Sequence, residues 1–209
     1  MILYKTVGKA AQAEQIIEKS RFITHVRPVA GREEADSFFA EIKKEYKDAT
    51  HNVPAMVIGD KFQIQWASDD GEPQGTSGAP VVQMLVNEGI TNVAVVVTRY
   101  FGGVKLGTGG LVRAYTSSAR LGIDAAGVCN VTQMAVMNIK MDYSFLSKLQ
   151  NFSEKRLFKI ENIIYEDMIT AVICCDEDTK EDTRLLIANM TSGKFEVVFE
   201  GNKLVNVGI

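Results

Sequence analysis

The stretch Thr98-Arg99-Tyr100-Phe101-Gly102-Gly103-Val104-Lys105-Leu106-Gly107-Thr108-Gly109-Gly110-Leu111 combines cations with bare backbone. Glycines allow positive φ and let a partner approach the main chain closely. A helix starting at Leu111 would present N–H groups without intrahelical partners, at the positive end of its dipole. The segment therefore reads as an anion or nucleic-acid cradle. Arg99, Lys105, Arg113 and Arg120 supply charge, and Gly102, Gly103, Gly107, Gly109 and Gly110 supply backbone. From Gly89 to Ile123 there is no Asp or Glu. The glycine spacing fits neither the Walker A loop nor the dinucleotide fingerprint. The competing reading is a tight loop whose glycines only let strand, loop and helix pack.

A second cluster, Ser68-Asp69-Asp70-Gly71-Glu72-Pro73-Gln74-Gly75-Thr76-Ser77-Gly78-Ala79-Pro80, brings together three carboxylates. Asp69, Asp70 and Glu72 could hold a divalent cation through oxygen, although the alternating spacing of a calcium loop is missing. The same residues also suit a solvated turn that caps a helix, or a salt-bridge partner for the basic strip. His51 lies at the entry to a strand with no nucleophile elbow nearby, so it reads as a hydrogen-bonded structural residue. His25 sits inside an alternating strand. Cys129, Cys174 and Cys175 form neither a zinc pattern nor a disulfide framework. No catalytic residue and no cofactor is expected from these features.

These groups need a scaffold. Residues 21–29 alternate like a strand, and Gly31 opens a helix with Ala35, Phe38, Phe39, Ile42 and Tyr46 on one face. Val53–Ile58 and Phe62–Ala67 read as strands joined by a turn at Gly59-Asp60-Lys61. Pro80–Glu88 reads as a short helix with Pro80 first, Asn92–Tyr100 as a central strand, and Leu111 to about Ala126 as a helix stopped by Gly127. Beyond Asn130 the order becomes strand (Gln133–Met141), helix (Tyr143–Arg156), strand (Phe158–Tyr165), strand (Met168–Cys175), helix (Thr179–Met190), strand (Phe195–Glu200). That is the βαββαβ order of a ferredoxin-like domain, with Asp142 and Asp178 as helix N-caps. The fold class is α+β, with domains at 1–130 and 131–209 and a boundary near 129–132.

The 209 residues include 23 Lys+Arg and 26 Asp+Glu, with 46% apolar side chains. That balance excludes a disordered chain and a globally basic nucleic-acid binder. The net charge of −3 falls wholly in residues 131–209. The N-terminus lacks the apolar core of a signal peptide, and no apolar run approaches the roughly 20 residues of a membrane helix. A cytoplasmic protein with no membrane partner is expected.

Several segments together resemble the YigZ/Impact family. They are Ser20-Arg21-Phe22, Ala49-Thr50-His51, Ser68-Asp69-Asp70-Gly71-Glu72-Pro73, Gly75-Thr76-Ser77-Gly78-Ala79-Pro80, Arg99 through Gly107, and Gly109-Gly110-Leu111-Val112-Arg113-Ala114-Tyr115. The match covers most of residues 17–126, and Ala79 stands where such proteins often carry a basic residue. The resemblance implies an N-terminal domain like domain two of ribosomal protein S-five and a ferredoxin-like C-terminal domain like the last domains of elongation factor G. It also implies a place in translation or stress regulation, where eukaryotic relatives act by binding a kinase activator. The reading is a non-enzymatic binding protein whose basic glycine loop meets RNA or an acidic, ribosome-associated or regulatory protein surface, and which does not read DNA sequence. The alternatives are a nucleotide-binding enzyme resembling small-molecule kinases, and a pure protein-interaction module anchored by Tyr100 and Phe101.

Overall fold

In the computed structural model, residues 2–155 and 158–208 are described. The chain divides into two units, Ile2–Val131 with the residues from Asn206 onward, and Thr132–Val205.

The first unit opens with three strands, β1 (Ile2–Val7), β2 (Ala11–Ile17) and β3 (Ser20–Pro28). Sequence patterning anticipates only β3: β1 (ILYKTV) shows no strict alternation, and β2 (AQAEQII) mixes small, polar and apolar residues. Helix α1 (Arg32–Glu45), strands β4 (His51–Ile58) and β5 (Ile64–Ala67), helix α2 (Gly78–Asn87), strand β6 (Val93–Tyr100) and helix α3 (Gly107–Ala126) follow. The sheet runs β2-β3-β6-β4-β5, with every neighbouring pair antiparallel.

Strand β6 lies at its centre and is covered on both faces. Val93, Val95 and Val97 enter the core beneath α2 and α3, while Ala94 and Val96 enter the core beneath α1. A strand with two buried faces reads as a continuous apolar run, and this one does. Helix α3 buries Leu111, Ala114, Tyr115, Ser118, Ala119, Gly122, Ile123 and Ala126, one face at helical spacing. It begins at Gly107, four positions before the expected Leu111, so Gly107, Gly109 and Gly110 belong to its first turn. Helix α2 likewise starts two residues before Pro80.

In the second unit, β7 (Val128–Met141) leads to α4 (Leu146–Glu154), β8 (Lys159–Tyr165), β9 (Ile169–Asp176), α5 (Lys180–Thr191) and β10 (Phe195–Gly208). Strand β9 lies between β7 and β8, and β10 pairs with β7. One face of the sheet (Ala135, Met137, Ile139, Ile169, Ala171, Ile173) packs with Leu149 of α4 and Ile187 of α5. Asp142 caps a short 3-10 turn ahead of α4 by accepting from the Ser144 N–H at 2.8 Å. The expected cap at Asp178 is corrected: it lies inside a 3-10 turn, and Thr179 precedes α5 without a side-chain cap. Arg156, the expected end of the first helix in this unit, lies outside the described residues. Among the described residues, no helix is long and apolar enough to cross a membrane.

His25 of β3 is buried beside the Tyr46 ring, with centroids 4.6 Å apart, and its Nε2 has no hydrogen-bond partner. Burial drives its pKa from 6.5 down to about 4. As acid is added, the unfolded chain takes up this proton before the folded chain does. Stability should therefore fall as pH drops from about 6.5 towards 4. Urea unfolding of His25→Leu across that window should show a shallower loss than the parent chain.

Candidate functional site

The motif residues converge at one end of the first unit's sheet. In the cross-strand register, Phe22 of β3 lies opposite Arg99 of β6, and Arg99 opposite His51 of β4. Arg99 continues the Val93-Val95-Val97 face and is therefore directed under α3, where it is only 4% exposed. Its guanidinium lies 5.4 Å from the ring centroids of both Phe22 and Phe101. A buried guanidinium requires an anion, and Glu72 provides it: Arg99 Nη1 donates to Glu72 Oε1 at 2.6 Å. The Tyr115 hydroxyl of α3 donates to the same oxygen at 2.7 Å. Burial, reinforced by this carboxylate, pushes the Tyr115 pKa far above the ordinary tyrosine value, so the hydroxyl keeps its proton. Arg99 Nη2 donates to Ser20 Oγ at 3.3 Å, which also accepts from the Gly102 N–H at 3.2 Å.

The acidic loop is shaped to deliver Glu72. Strand β5 stops pairing with β4 after Ala67, and the Ser68 N–H closes on the Pro54 carbonyl at 3.2 Å. Asp69 then turns towards the start of α2. Its Oδ1 accepts from the Ser77 hydroxyl (2.6 Å), the Ser77 N–H (3.2 Å) and the Gly78 N–H (3.0 Å), and its Oδ2 from the Gly75 N–H (2.7 Å). Burial raises the Asp69 carboxyl, but these four donors together outweigh it and hold the pKa below the usual value. Asp70 takes a left-handed conformation, φ 45°, and accepts from the Asn52 N–H at 2.6 Å and from Lys43 Nζ at 3.0 Å. The Asp70 carbonyl can only accept, so His51 Nδ1, 2.8 Å away, carries the proton. His51 Nε2 then faces Glu72 Oε1 at 3.8 Å. His51 is thus a hydrogen-bonded member of the clamp.

Three groups of the expected site residues are engaged within the fold. First, Asp69 caps α2, Asp70 fastens β4 and α1, and Glu72 is buried on Arg99. Among the described residues, no group of three His, Cys, Asp or Glu is arranged to hold a metal. Secondly, Arg99 is not a surface anion contact, since its charge is already paired inside the fold. Thirdly, Gly102 serves the chain's own packing. A Cβ there would lie 2.0 Å from the carbonyl carbon and oxygen of Lys19.

The other cradle residues face outward. Gly103 and Gly107 have φ of 84° and 69° with open space where a side chain would project. Lys105 and Arg113 are exposed and make no ion pair among the described residues. Arg113 Nη1 lies 3.7 Å from where a Cβ on Gly109 would stand, so its charge lies over the first turn of α3; beside that turn, Gly110 packs close to Leu106 Cβ. No side chain caps this helix start, and no acid lies in the first turn. Arg120 pairs with Glu88 at the surface. Tyr100 is half-buried, its hydroxyl donating to Asp48 at 3.1 Å, while Phe101 is 48% exposed. Sequence reasoning missed Ser20 and Tyr115 as parts of the site. Their signal was membership of the quoted motif blocks, because nothing in their type or spacing announced a shared carboxylate.

Residues 18–123 match the Impact N-terminal domain, and residues 139–194 match a domain of unknown function, DUF1949. The chain is 39% identical over 194 residues to the IMPACT family member YvyE of Bacillus subtilis, covering 93% of this chain and 89% of that protein. It is 30% identical over 184 residues to the IMPACT family member YigZ of Escherichia coli, covering 87% and 90%. Against Protein IMPACT of Mus musculus it is 35% identical over 94 residues, 43% of this chain and 29% of the mouse protein. A crystal structure described as a hypothetical protein aligns with a TM-score of 0.59 at 28% identity, covering 98% of this chain and 97% of that one.

Removing Glu72 alone should be far more damaging than removing the pair. Glu72→Met leaves a buried, uncompensated guanidinium and should cost about 3–5 kcal/mol, whereas the double variant Glu72→Met, Arg99→Met should recover most of that loss. Tyr115→Phe deletes a hydrogen bond to a charged group and should cost about 1.5–3 kcal/mol. Denaturant midpoints of the four proteins give the comparison, and a double variant no better than Glu72→Met would refute it. Gly102→Ala should destabilise by about 1–3 kcal/mol, the scale of overpacking a tight contact, read in the same titration.

Proposed function

The chain belongs to the IMPACT family, and from that premise we propose that it is a non-enzymatic binding protein of the translation or stress-regulation machinery. Its anionic partner, an RNA backbone or an acidic protein surface, lies against the exposed cations of the glycine loop and α3. One observation carries this reading: Lys105 and Arg113 stand exposed without carboxylate partners, while the acids of the neighbouring loop are committed inside the fold. Within the basic strip the acidic loop neutralises Arg99 through Glu72, and it leaves Lys105 and Arg113 without such a pair among the described residues. The open start of α3 adds the positive end of a helix dipole beside Arg113. Arg120, held by Glu88 at the surface, is the third contact, and its pair is of the exposed kind that exchanges cheaply.

The finer fold assignments belong to the same proposal. The placing of β9 between β7 and β8, the pairing of β10 with β7 and the two helices on one face support a ferredoxin-like second unit, to whose sheet β1 adds a fifth strand beside β7. The mixed first unit is proposed to resemble domain two of ribosomal protein S-five. A cytoplasmic location follows from this role.

Titration with a labelled single-stranded oligoribonucleotide and with a polyglutamate peptide tests the reading. If three phosphates are neutralised, the log–log salt slope should be about −2 for RNA. The variant Lys105→Ala, Arg113→Ala should weaken binding at least about tenfold, or ~1.4 kcal/mol, with an unchanged Tm. Failure of both polyanions to bind at low salt would overturn the proposal. A nucleotide-binding enzyme would instead gain about 2.7 kcal/mol of stability with ATP and Mg²⁺ at 100 times Kd, and a flat thermal shift is expected.

A further inference from the structure

Helices α2 and α3 lie side by side, and a groove of about 770 Å³ opens between them. Its apolar lining comes from Pro80 and Met84 of α2 and Val112 of α3, interspersed with the polar side chains of Gln83, Asn87, Thr116 and Ser117. Arg113 and Arg120 border it from α3, seven residues apart and therefore two helical turns, or roughly 10 Å, along one face. We propose that this groove receives a helical segment of a partner protein, apolar on one face and flanked by carboxylates spaced about two turns apart. The inference deepens the anion-binding reading and rests on it, because Arg113 and Arg120 serve both.

Three observations select this occupant. The volume falls within the range of about 300–1,000 Å³ typical of sites that bury a ligand. Both walls are helices, whose backbone groups are satisfied internally, so no strand edge is offered to an extended peptide. A partner that also satisfies its own backbone, a helix with i, i+3, i+4 and i+7 anchors, fits such walls. The charged lining holds two arginines and one glutamate, with Arg113 in no ion pair among the described residues, and the apolar lining includes a methionine, a side chain that adapts to varied partners. Nucleic acid fits less well, because the groove lining contains no aromatic ring on which a base could stack.

Glu88, just beyond the C-terminal end of α2, lines the groove and pairs with Arg120. A docking carboxylate must share that guanidinium, so Glu88 competes with the partner. Removing Glu88 should therefore strengthen binding, an effect that damage to the fold would not produce.

The experiment uses the full chain and a fluorescein-labelled amphipathic peptide of about 18 residues, longer than the ~12–15 at which isolated helices are marginal. It carries Leu at i, i+3, i+4 and i+7 with Glu on both flanks, and a scrambled peptide of equal composition is the control. Anisotropy should show saturable binding of the first peptide and at least tenfold weaker binding of the second. Met84→Glu should weaken binding at least tenfold, with its Tm and circular dichroism recorded alongside. Glu88→Gln should tighten it severalfold. Equal binding of the scrambled peptide, or indifference to both substitutions, would overturn the inference. So would an oligoribonucleotide whose binding depends on Met84, since RNA would then occupy the groove. If the peptide fails while polyanions still bind through Lys105 and Arg113, the groove inference falls and the anion-binding reading stands. If nothing binds, both fall.

Discussion

The buried contact between Arg99 and Glu72 is the constraint around which the first unit is arranged. A guanidinium removed from water at the end of a central strand is tolerable only if its charge is matched; here Nη1 and Nη2 are bonded, while the buried Nε has no hydrogen-bond partner. Glu72 matches the charge, and Tyr115 and Ser20 take up further polar capacity. Those four residues come from a loop, two strands and a helix that are distant in sequence. Satisfying one charge therefore fixes the relative positions of β3, β6, α3 and the acidic loop. The glycine loop is drawn in as well, since the Gly102 N–H shares the Ser20 hydroxyl and its missing side chain leaves room for the Lys19 backbone.

The same arrangement sorts charge in space. The first 130 residues carry equal numbers of acids and bases, yet the two signs do different work. Carboxylates of the acidic loop are consumed in capping α2, fastening β4 and neutralising Arg99. The cations of the glycine loop and of the outer face of α3 are left to solvent or to a single exposed pair. A neutral domain thus leaves Lys105 and Arg113 exposed and outside any ion pair among the described residues. Helix α3 is the rigid element that makes this useful. It is anchored inward by Leu111, Ala114, Tyr115 and Ala119, so Arg113 and Arg120 project from a fixed support. Membership of the IMPACT family gives this arrangement a biological setting, and the groove beside α3 gives it a shape.

Much of the scaffold was legible in the residues. The apolar run Val93–Val97 indicated a strand buried on two faces, and helix periodicity located α1 and the inner face of α3. Strands β1 and β2 were not legible, because their pairing depends on neighbours rather than on their own composition. The start of α3 was misplaced for a similar reason: the Gly107-Thr108-Gly109-Gly110 run has poor intrinsic helix preference and joins the helix through packing downstream of it.

Residue types, glycine spacing and the acid-free interval from Gly89 to Ile123 determined by themselves that a basic, glycine-rich segment and an acidic loop would exist, and that the chain resembles the IMPACT family. Which charges would meet was decided only by tertiary structure. Arg99 and Tyr115 lie 27 and 43 positions along the chain from Glu72, the carboxylate they share, and no local pattern encodes a pairing over that span. Alternation along β6 put Arg99 on the buried face, and desolvation there required a carboxylate, which the acidic loop supplies as Glu72. Lys105 and Arg113 were spared that demand because loop and helix surface left them in water.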